Sequence, residues 1–207
     1  MYFWRENASA GSSVVIPGKR NSWGSRPCQE TNEGEGCGEY NAVMSAVLPM
    51  PVEEYLRSTS KPNSEYNDGV VSPKSRPTKL HSLVQLALLV LFRNRGVRSF
   101  PELTVRISPT KYLVPDVCVG GDFPGPYPTE PMQLCCEILS PEDRLGALLS
   151  KCEEYHAWGV PYCWVIDPVK RTAWEYHAGS EPERVRETVS AGELSVRLED
   201  LFSELDA

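Results

Sequence analysis

Residues 132–167 read MQLCCEILSPEDRLGALLSKCEEYHAWGVPYCWVID and carry the strongest structural signal in the chain. The first segment, 132–139, is apolar at nearly every position, which indicates a strand covered on both faces. Ser140, followed by proline and two acids, is typical of a helix start, and the helix should end at Gly159. Residues 162–167 predict a second buried strand. Interleaved strands and helices indicate an α/β domain with a central mixed β-sheet flanked by helices.

Weaker patterns on either side extend this architecture. The tripeptide Asn67-Asp-Gly69 predicts a turn between two short strands. Residues 81–92 are apolar on nearly every side, which indicates a buried helix. We expect these further elements: a short helix at 51–57, strands at 97–107 and 112–119, a hairpin from 171–176 and 185–189, and a terminal helix at 198–205.

The length of 207 residues suits one domain with a tail. Residues 1–42 show no sustained periodicity, so we expect them to form a disordered or non-essential N-terminal extension. Residues 43–207 should form the single domain. With 41% apolar and 24% charged residues, the composition excludes collagen, coiled coils and wholesale disorder. The longest apolar run, 86–92, is too short for a membrane helix, so no membrane partner is expected.

Cysteine usage bears on metal sites and on the compartment. The chain has seven cysteines and no CxxC pair, so zinc-ribbon and thioredoxin-type sites have no support. Five of the seven lie in apolar stretches, where cysteine acts as a small hydrophobic residue. The odd count and the lack of a secretory signal favour free thiols in a reducing cytosol, and we therefore expect a cytoplasmic protein.

Two acids and a lysine on neighbouring elements are the candidates for chemistry. Asp116 and Glu137 each lie in an otherwise apolar predicted strand, and Lys151 lies on the helix that follows. Burying an ionised carboxylate costs several kcal/mol unless a cation or hydrogen-bond donors offset it. Two neighbouring acids also repel each other unless a divalent cation lies between them, and Mg²⁺ suits such a pair. The alternatives are that either acid faces solvent at a strand end and that the lysine is an exposed helix residue.

These residues form part of an ordered series of motifs. The series is Pro115-Asp116, Glu137-Ile-Leu-Ser-Pro141, Lys151, Tyr155, Gly159-Val160 and Trp164-Val-Ile-Asp-Pro168, preceded by Glu54-Tyr-Leu56, Glu65-Tyr-Asn-Asp-Gly69 and His81. Over about residues 44–190 the chain resembles the Uma family of restriction endonucleases, a branch of the PD-(D/E)XK nuclease superfamily. The resemblance implies a restriction-endonuclease-like core with the active site where two central strands diverge.

The resemblance also implies a set of site residues: Asp116, Glu137, Lys151 and Glu65, with the carbonyl oxygen of Ile138. The two strand acids and this carbonyl would bind the metal, and Glu65 would bind a metal-bound water or a second ion. The lysine that the superfamily usually places two residues after the second acid is absent, because Leu139 occupies that position. In Uma-type sequences this lysine lies on the following helix, which implies that Lys151 takes its role.

The function implied by the resemblance is a metal-dependent endonuclease that hydrolyses DNA phosphodiester bonds. Its cofactor would be Mg²⁺, with Mn²⁺ able to replace it, and Lys151 would orient the attacking water or stabilise developing charge. Two alternatives remain open. One is a nucleic-acid-binding module on the same fold that has lost its chemistry, and the other is a metal-dependent phosphoesterase of a smaller substrate. A homodimer would allow two cuts, although no residue identifies an interface.

Two neighbouring side chains have less specific interpretations. His81 opens the predicted buried helix, and we interpret it as a polar contact at the helix N-terminus rather than as a catalytic base. Tyr155 lies four residues after Lys151 and therefore on the same helix face. It either lines the site or packs in the core, and we favour the core.

The net charge of −7 does not exclude a nucleic-acid partner. Residues 74–111 contain eight basic residues and one acid, whereas residues 175–207 contain nine acids and three basic residues. The acidity is therefore concentrated in the C-terminal segment. A local basic track beside a metal site is compatible with this distribution if the basic side chains share a face.

Overall fold

The computed structural model describes residues 49–59, 63–203 and 205–206. The predicted extension, 1–42, lies outside these residues. In chain order the helices and strands are α1 (Val52–Arg57), β1 (Ser64–Asn67), β2 (Val70–Pro73), α2 (Lys79–Asn94), β3 (Ser99–Pro101), β4 (Val105–Ser108), β5 (Lys111–Leu113), β6 (Val117–Val119), β7 (Leu134–Ile138), α3 (Leu145–Trp158), β8 (Tyr162–Asp167), β9 (Thr172–His177), β10 (Glu183–Val185), β11 (Thr188–Ala191), β12 (Leu194–Arg197) and α4 (Leu198–Ser203).

The larger sheet has six strands in the order β10-β9-β8-β7-β6-β3. Strands β7 and β8 are parallel because α3 returns the chain across one face, and the other neighbours are antiparallel. Residues of α3 pack on that face, while residues of α2 and α4 pack on the other. This arrangement confirms the predicted mixed sheet flanked by helices, and it explains why β7 is buried at every position.

The smaller sheet has four strands in the order β2-β1-β5-β4. It has a core of its own in which three buried tyrosines, Tyr55, Tyr66 and Tyr112, pack together, with the rings of the first two 5.0 Å apart. The predicted turn at 67–69 joins β1 to β2. A third two-stranded ladder pairs β11 with β12.

Two strands that the sequence presents as continuous are each divided between the two sheets. The predicted strand 97–107 is split into β3 and β4, and Glu102 between them has a φ of 46°, in the left-handed region that breaks a strand. The predicted strand 112–119 is split into β5 and β6 around Pro115, which has no N–H for a ladder. The chain therefore passes between the sheets at these two breaks, in addition to its passage through α2.

The predicted start of α3 is four residues too early. The Ser140 N–H donates to Asp143 Oδ2 (2.8 Å), and the Asp143 N–H donates to the Ser140 carbonyl (3.0 Å). This closed turn uses the acid that the sequence pattern assigns to the first helical turn, so the helix begins only at Leu145. Its predicted end at Gly159 is confirmed, because this glycine has the left-handed φ of 116°.

Helix α2 is buried along one side only, which differs from the predicted burial on all sides. Val84, Leu88 and Phe92 are fully buried against the larger sheet, whereas Leu86 and Val90 are exposed. The Thr78 side chain accepts from the His81 N–H (3.2 Å) and caps the helix start. No helix in the described part of the chain is both long and apolar enough to cross a bilayer.

Candidate active site

A cleft of about 360 Å³ lies where the two sheets meet. Its walls come from the β1–β2 hairpin, from β5 and β7, and from α3. All four predicted side chains line it: Glu65, Asp116, Glu137 and Lys151. Lys74 and His81, to which the resemblance gives no role in the site, line it as well. The structure therefore brings the predicted residues together.

Asp116 lies one residue before β6, at the crossing between the sheets. Extending the β6–β7 register by one residue places it opposite Glu137. Its carboxylate is 4% exposed. The Ile138 N–H donates to Oδ2 (2.7 Å), and His81 Nε2 lies 3.1 Å from the same oxygen. Oδ1 instead contacts Lys74 Nζ at 2.5 Å.

Glu137 lies in β7, one of the two central strands of the larger sheet, and the strand alternation turns its side chain toward α3. The carboxylate is 2% exposed. Oε1 accepts from the Tyr155 hydroxyl (2.8 Å) and from Lys151 Nζ (2.8 Å), so two residues one turn apart on α3 hold the same oxygen. Oε2 lies 4.0 Å from Lys74 Nζ.

Lys151 links the two sheets. Its ammonium contacts Glu137 of the larger sheet, Glu65 Oε1 of the smaller sheet (2.6 Å) and the Val114 carbonyl between them (3.3 Å). Glu65 Oε1 also accepts from the Val114 N–H (2.9 Å). A lysine on the helix thus reaches the second acid, although Leu139 occupies the strand position two residues after that acid.

The two buried acids have opposite pKa shifts. Burial opposes ionisation of Asp116, but the charge of Lys74 and the hydrogen bonds from His81 and Lys74 outweigh it, so the pKa of Asp116 lies well below its ordinary value. Burial raises the pKa of Glu137, and the charges of Lys151 and Lys74 offset this only in part. Burial lowers the pKa of Lys151, but Glu137 and Glu65 raise it by more. The pKa is therefore above its ordinary value, and the ammonium stays charged.

In each of the two buried carboxylates, the two oxygens have different polar partners. Asp116 Oδ2 and Glu137 Oε1 are held by donors from strand and helix. Within the described residues, Lys74 is the partner found for Asp116 Oδ1 and the nearest cation to Glu137 Oε2. These two oxygens suit a small divalent cation, since Mg²⁺ needs one or two carboxylates and takes its other ligands from water and phosphate.

The described residues contain no group of three or more His, Cys, Asp or Glu side chains arranged to hold a metal. Two carboxylates and a main-chain carbonyl nevertheless fit a magnesium ion that keeps several waters. The Ile138 N–H points at Asp116, and in a strand the carbonyl of a residue faces the same edge as its N–H. This donor set fits the ligands that the resemblance implies.

The sequence does not single out Lys74, which is only one of the eight basic residues of 74–111. It lies after β2 in a segment without helix or strand, where no periodicity reveals that a side chain is directed inward. His81 and Tyr155 were interpreted as a helix contact and a core residue. Both are buried, and each contacts one of the two acids.

The basic residues of 74–111 do not share one face. Lys74 and Lys111 line the cleft, and Arg76 lines the adjoining pocket, but Lys111 also pairs with Glu154 (2.8 Å). Three arginines line other pockets: Arg93, Arg95 and Arg98. The continuous basic track that the sequence allows is therefore reduced to a few residues around the cleft.

Comparison with known proteins identifies the family and the fold. Residues 52–207 match the family model described as "Uma2: Putative restriction endonuclease". The chain belongs to the Uma2 family. A crystal structure described as a putative nuclease belonging to DUF820, from Anabaena variabilis ATCC 29413, superposes on this Uma2 chain with a TM-score of 0.63. The two sequences are 26% identical, and the match covers 76% of this chain and 99% of the other. No curated protein is a significant match.

Proposed function

We propose that this Uma2 protein is a metal-dependent endonuclease that hydrolyses DNA phosphodiester bonds. The observation that supports the proposal is the difference between the two oxygens of each buried carboxylate. Each carboxylate has one oxygen held by neutral or cationic donors of the fold and a second oxygen that meets only Lys74 among the described residues. Such preorganised carboxylates are suited to binding a cation with little rearrangement.

Asp116, Glu137 and the Ile138 carbonyl would hold Mg²⁺, and Mn²⁺ would replace it. When bound, a divalent ion in such a site coordinates a phosphate oxygen and lowers the pKa of a bound water. The Tyr155 hydroxyl orients Glu137, and its own pKa is raised by burial and by that carboxylate, so it remains a hydrogen-bond donor.

Lys151 supplies a fixed positive charge beside these ligands. It is held by Glu137, Glu65 and the Val114 carbonyl, and its pKa is raised above the ordinary value, so it stays an ammonium across the physiological range. A charge held in this way can orient a water or stabilise negative charge on phosphate without reorganising. Glu65 acts here as the partner that positions Lys151, a more definite role than the resemblance implies.

DNA is the proposed substrate because the family is described as restriction endonucleases and because basic residues border the cleft. The two alternatives have their own signatures. A decayed module would bind nucleic acid without cutting it, and a phosphoesterase of small substrates would cleave a phosphodiester such as bis-p-nitrophenyl phosphate but not DNA.

The test is cleavage of supercoiled plasmid and of linear duplex by the purified protein with Mg²⁺, with Mn²⁺ or with EDTA. We expect cleavage only with metal, and a loss of at least about 100-fold in Asp116→Asn and in Glu137→Gln. Glu154→Gln is the matched control, because Glu154 lines the same cleft but pairs with Lys111 and is 42% exposed. Cleavage that persists in both site variants, or in EDTA, would refute the proposal.

A further inference from the structure

We propose that Lys74 occupies the place of the divalent cation in the metal-free protein and is displaced when the metal binds. The inference rests on the metal site of the proposed function and goes beyond it. It concerns a lysine that neither the family's motif nor the sequence pattern assigns.

The contacts of Lys74 are those expected of a stand-in for a metal. Its ammonium lies 2.5 Å from Asp116 Oδ1, 4.0 Å from Glu137 Oε2 and 2.6 Å from the Val114 carbonyl. It therefore reaches both acids through the oxygens that the fold does not otherwise hold. It also reaches a main-chain carbonyl, so its partners form a set of oxygens of the kind that binds Mg²⁺.

The two cations cannot share this place. Mg²⁺ binds oxygen at about 2.0–2.1 Å, and an ammonium already lies at hydrogen-bond distance from the same Asp116 oxygen. Cations this close in a mostly buried cleft also repel each other strongly. Metal binding therefore has to break the contact between Lys74 and Asp116.

Lys151 differs from Lys74 in this respect. It binds Glu137 through Oε1, which the Tyr155 hydroxyl also holds, and its ammonium has a second acid, Glu65, at 2.6 Å. A metal at the two remaining oxygens would leave these contacts intact. The site thus contains one lysine that can stay beside the metal and one that has to leave.

The surroundings of Lys74 allow the side chain to leave. The residue lies in the segment 74–78, which has no helix or strand structure, and its side chain is 14% exposed. The main chain is held by bonds that do not involve the ammonium, since the Lys74 N–H donates to the Asn63 carbonyl (2.9 Å) and the Ser75 hydroxyl to Asp143. Rotation of the lysine side chain alone would open the site.

The test measures Mn²⁺ binding by electron paramagnetic resonance of the free ion and thermal unfolding with Mn²⁺ or EDTA, so it does not depend on cleavage. Lys74→Met should bind Mn²⁺ at least tenfold more tightly than the parent, because no side chain then competes for the two oxygens. It should melt at a lower temperature than the parent in EDTA and gain more from Mn²⁺, because the acids lose their counter-ion. Lys74→Gln, whose side chain is more polar, should likewise bind Mn²⁺ more tightly than the parent and melt at a lower temperature in EDTA.

Lys111→Met is the matched control, because it removes a positive charge that lines the same cleft but contacts Glu154. Its Mn²⁺ affinity should stay within about threefold of the parent, as expected for a screened charge near the surface. An affinity gain equal to that of Lys74→Met would overturn the inference, since it would reflect general electrostatics.

The remaining outcomes separate this inference from the proposed function. If the parent binds Mn²⁺ and both Lys74 variants bind it equally or more weakly, Lys74 is not a competitor and the inference fails while the metal site stands. If neither the parent nor the variants bind Mn²⁺, the metal site and the inference fail together. Lys74 variants that stay unfolded even with Mn²⁺ would also overturn it, because the metal then cannot take the place of the ammonium.

Discussion

Replacement of Lys151 with methionine should lower the free energy of unfolding by about 3 kcal/mol at pH 7. The side chain is 13% exposed and joins Glu137 at 2.8 Å to Glu65 at 2.6 Å. Methionine is nearly as long and removes the charge without leaving a large cavity. Removing one partner of a buried ion pair typically costs about 3–5 kcal/mol, because the other charge stays buried and unpaired.

Protonation of Glu137 limits this loss at pH 7. The ordinary pKa of the carboxyl is 4.5, so protonating it at pH 7 costs about 3.4 kcal/mol at about 1.36 kcal/mol per pH unit, and at pH 5 about 0.7 kcal/mol. A carboxyl whose pKa is raised on folding favours the folded state at low pH, and this contribution is lost as the pH rises through the raised pKa. The loss caused by Lys151→Met should therefore grow from pH 5 to pH 7.

The assay is urea unfolding followed by tryptophan fluorescence, to which the fully buried Trp164 contributes. The double variant Glu137→Gln/Lys151→Met should recover at least about 2 kcal/mol, since it leaves no unpaired carboxylate at position 137. Lys79→Met, at an exposed lysine of α2, should stay within about 0.5 kcal/mol of the parent. A loss below 1 kcal/mol at pH 7, a loss that does not change with pH, or a double variant as unstable as Lys151→Met would refute the reasoning.

Three further predictions concern the pH dependence, the hydroxyl on α3 and the helix end. The pKa of Asp116 lies below its ordinary 3.8, so its contribution to stability is present above that value and is lost as the pH falls. The free energy of unfolding in urea should therefore change less between pH 3 and pH 6 in Asp116→Asn than in the parent. Tyr155→Phe should lose about 1–3 kcal/mol by urea unfolding and bind Mn²⁺ more weakly, whereas Tyr176→Phe, whose hydroxyl makes a 3.5 Å contact at the surface, should lose under 0.5 kcal/mol. Gly159→Ala should lower the melting temperature because its φ is 116° and a Cβ would lie 2.9 Å from a proline ring, while Gly146→Ala, with open space on α3, should raise it.

The central strand-helix-strand unit follows from the sequence because several local signals agree there. Residues 134–138 and 162–167 are apolar at nearly every position, and Gly159 marks the helix end. The start of α3 does not follow, because Asp143 can bond either to its own turn or within a helix, and only the folded chain shows that it bonds to Ser140.

The candidate site is predictable where burial conflicts with charge. Asp116 and Glu137 stand out because an acid in an apolar strand needs a partner, and the family resemblance points to Lys151. Lys74 does not stand out, because lysine in an irregular segment is usually exposed. The division of the strands at Glu102 and Pro115 does not follow from the sequence, because apolar residues lie on both sides of each break and do not show a change of sheet.

The passages of the chain between the sheets bear on how the protein folds. The acids and lysines of the cleft come from positions 65, 74, 116, 137 and 151, so none of their contacts forms between near neighbours in sequence. Contacts between residues so far apart in sequence form late in folding, because the intervening loops first have to lose conformational entropy. An intermediate that has formed only one of the sheets lacks part of the set, so the complete set of cleft contacts should form only in the last step of folding.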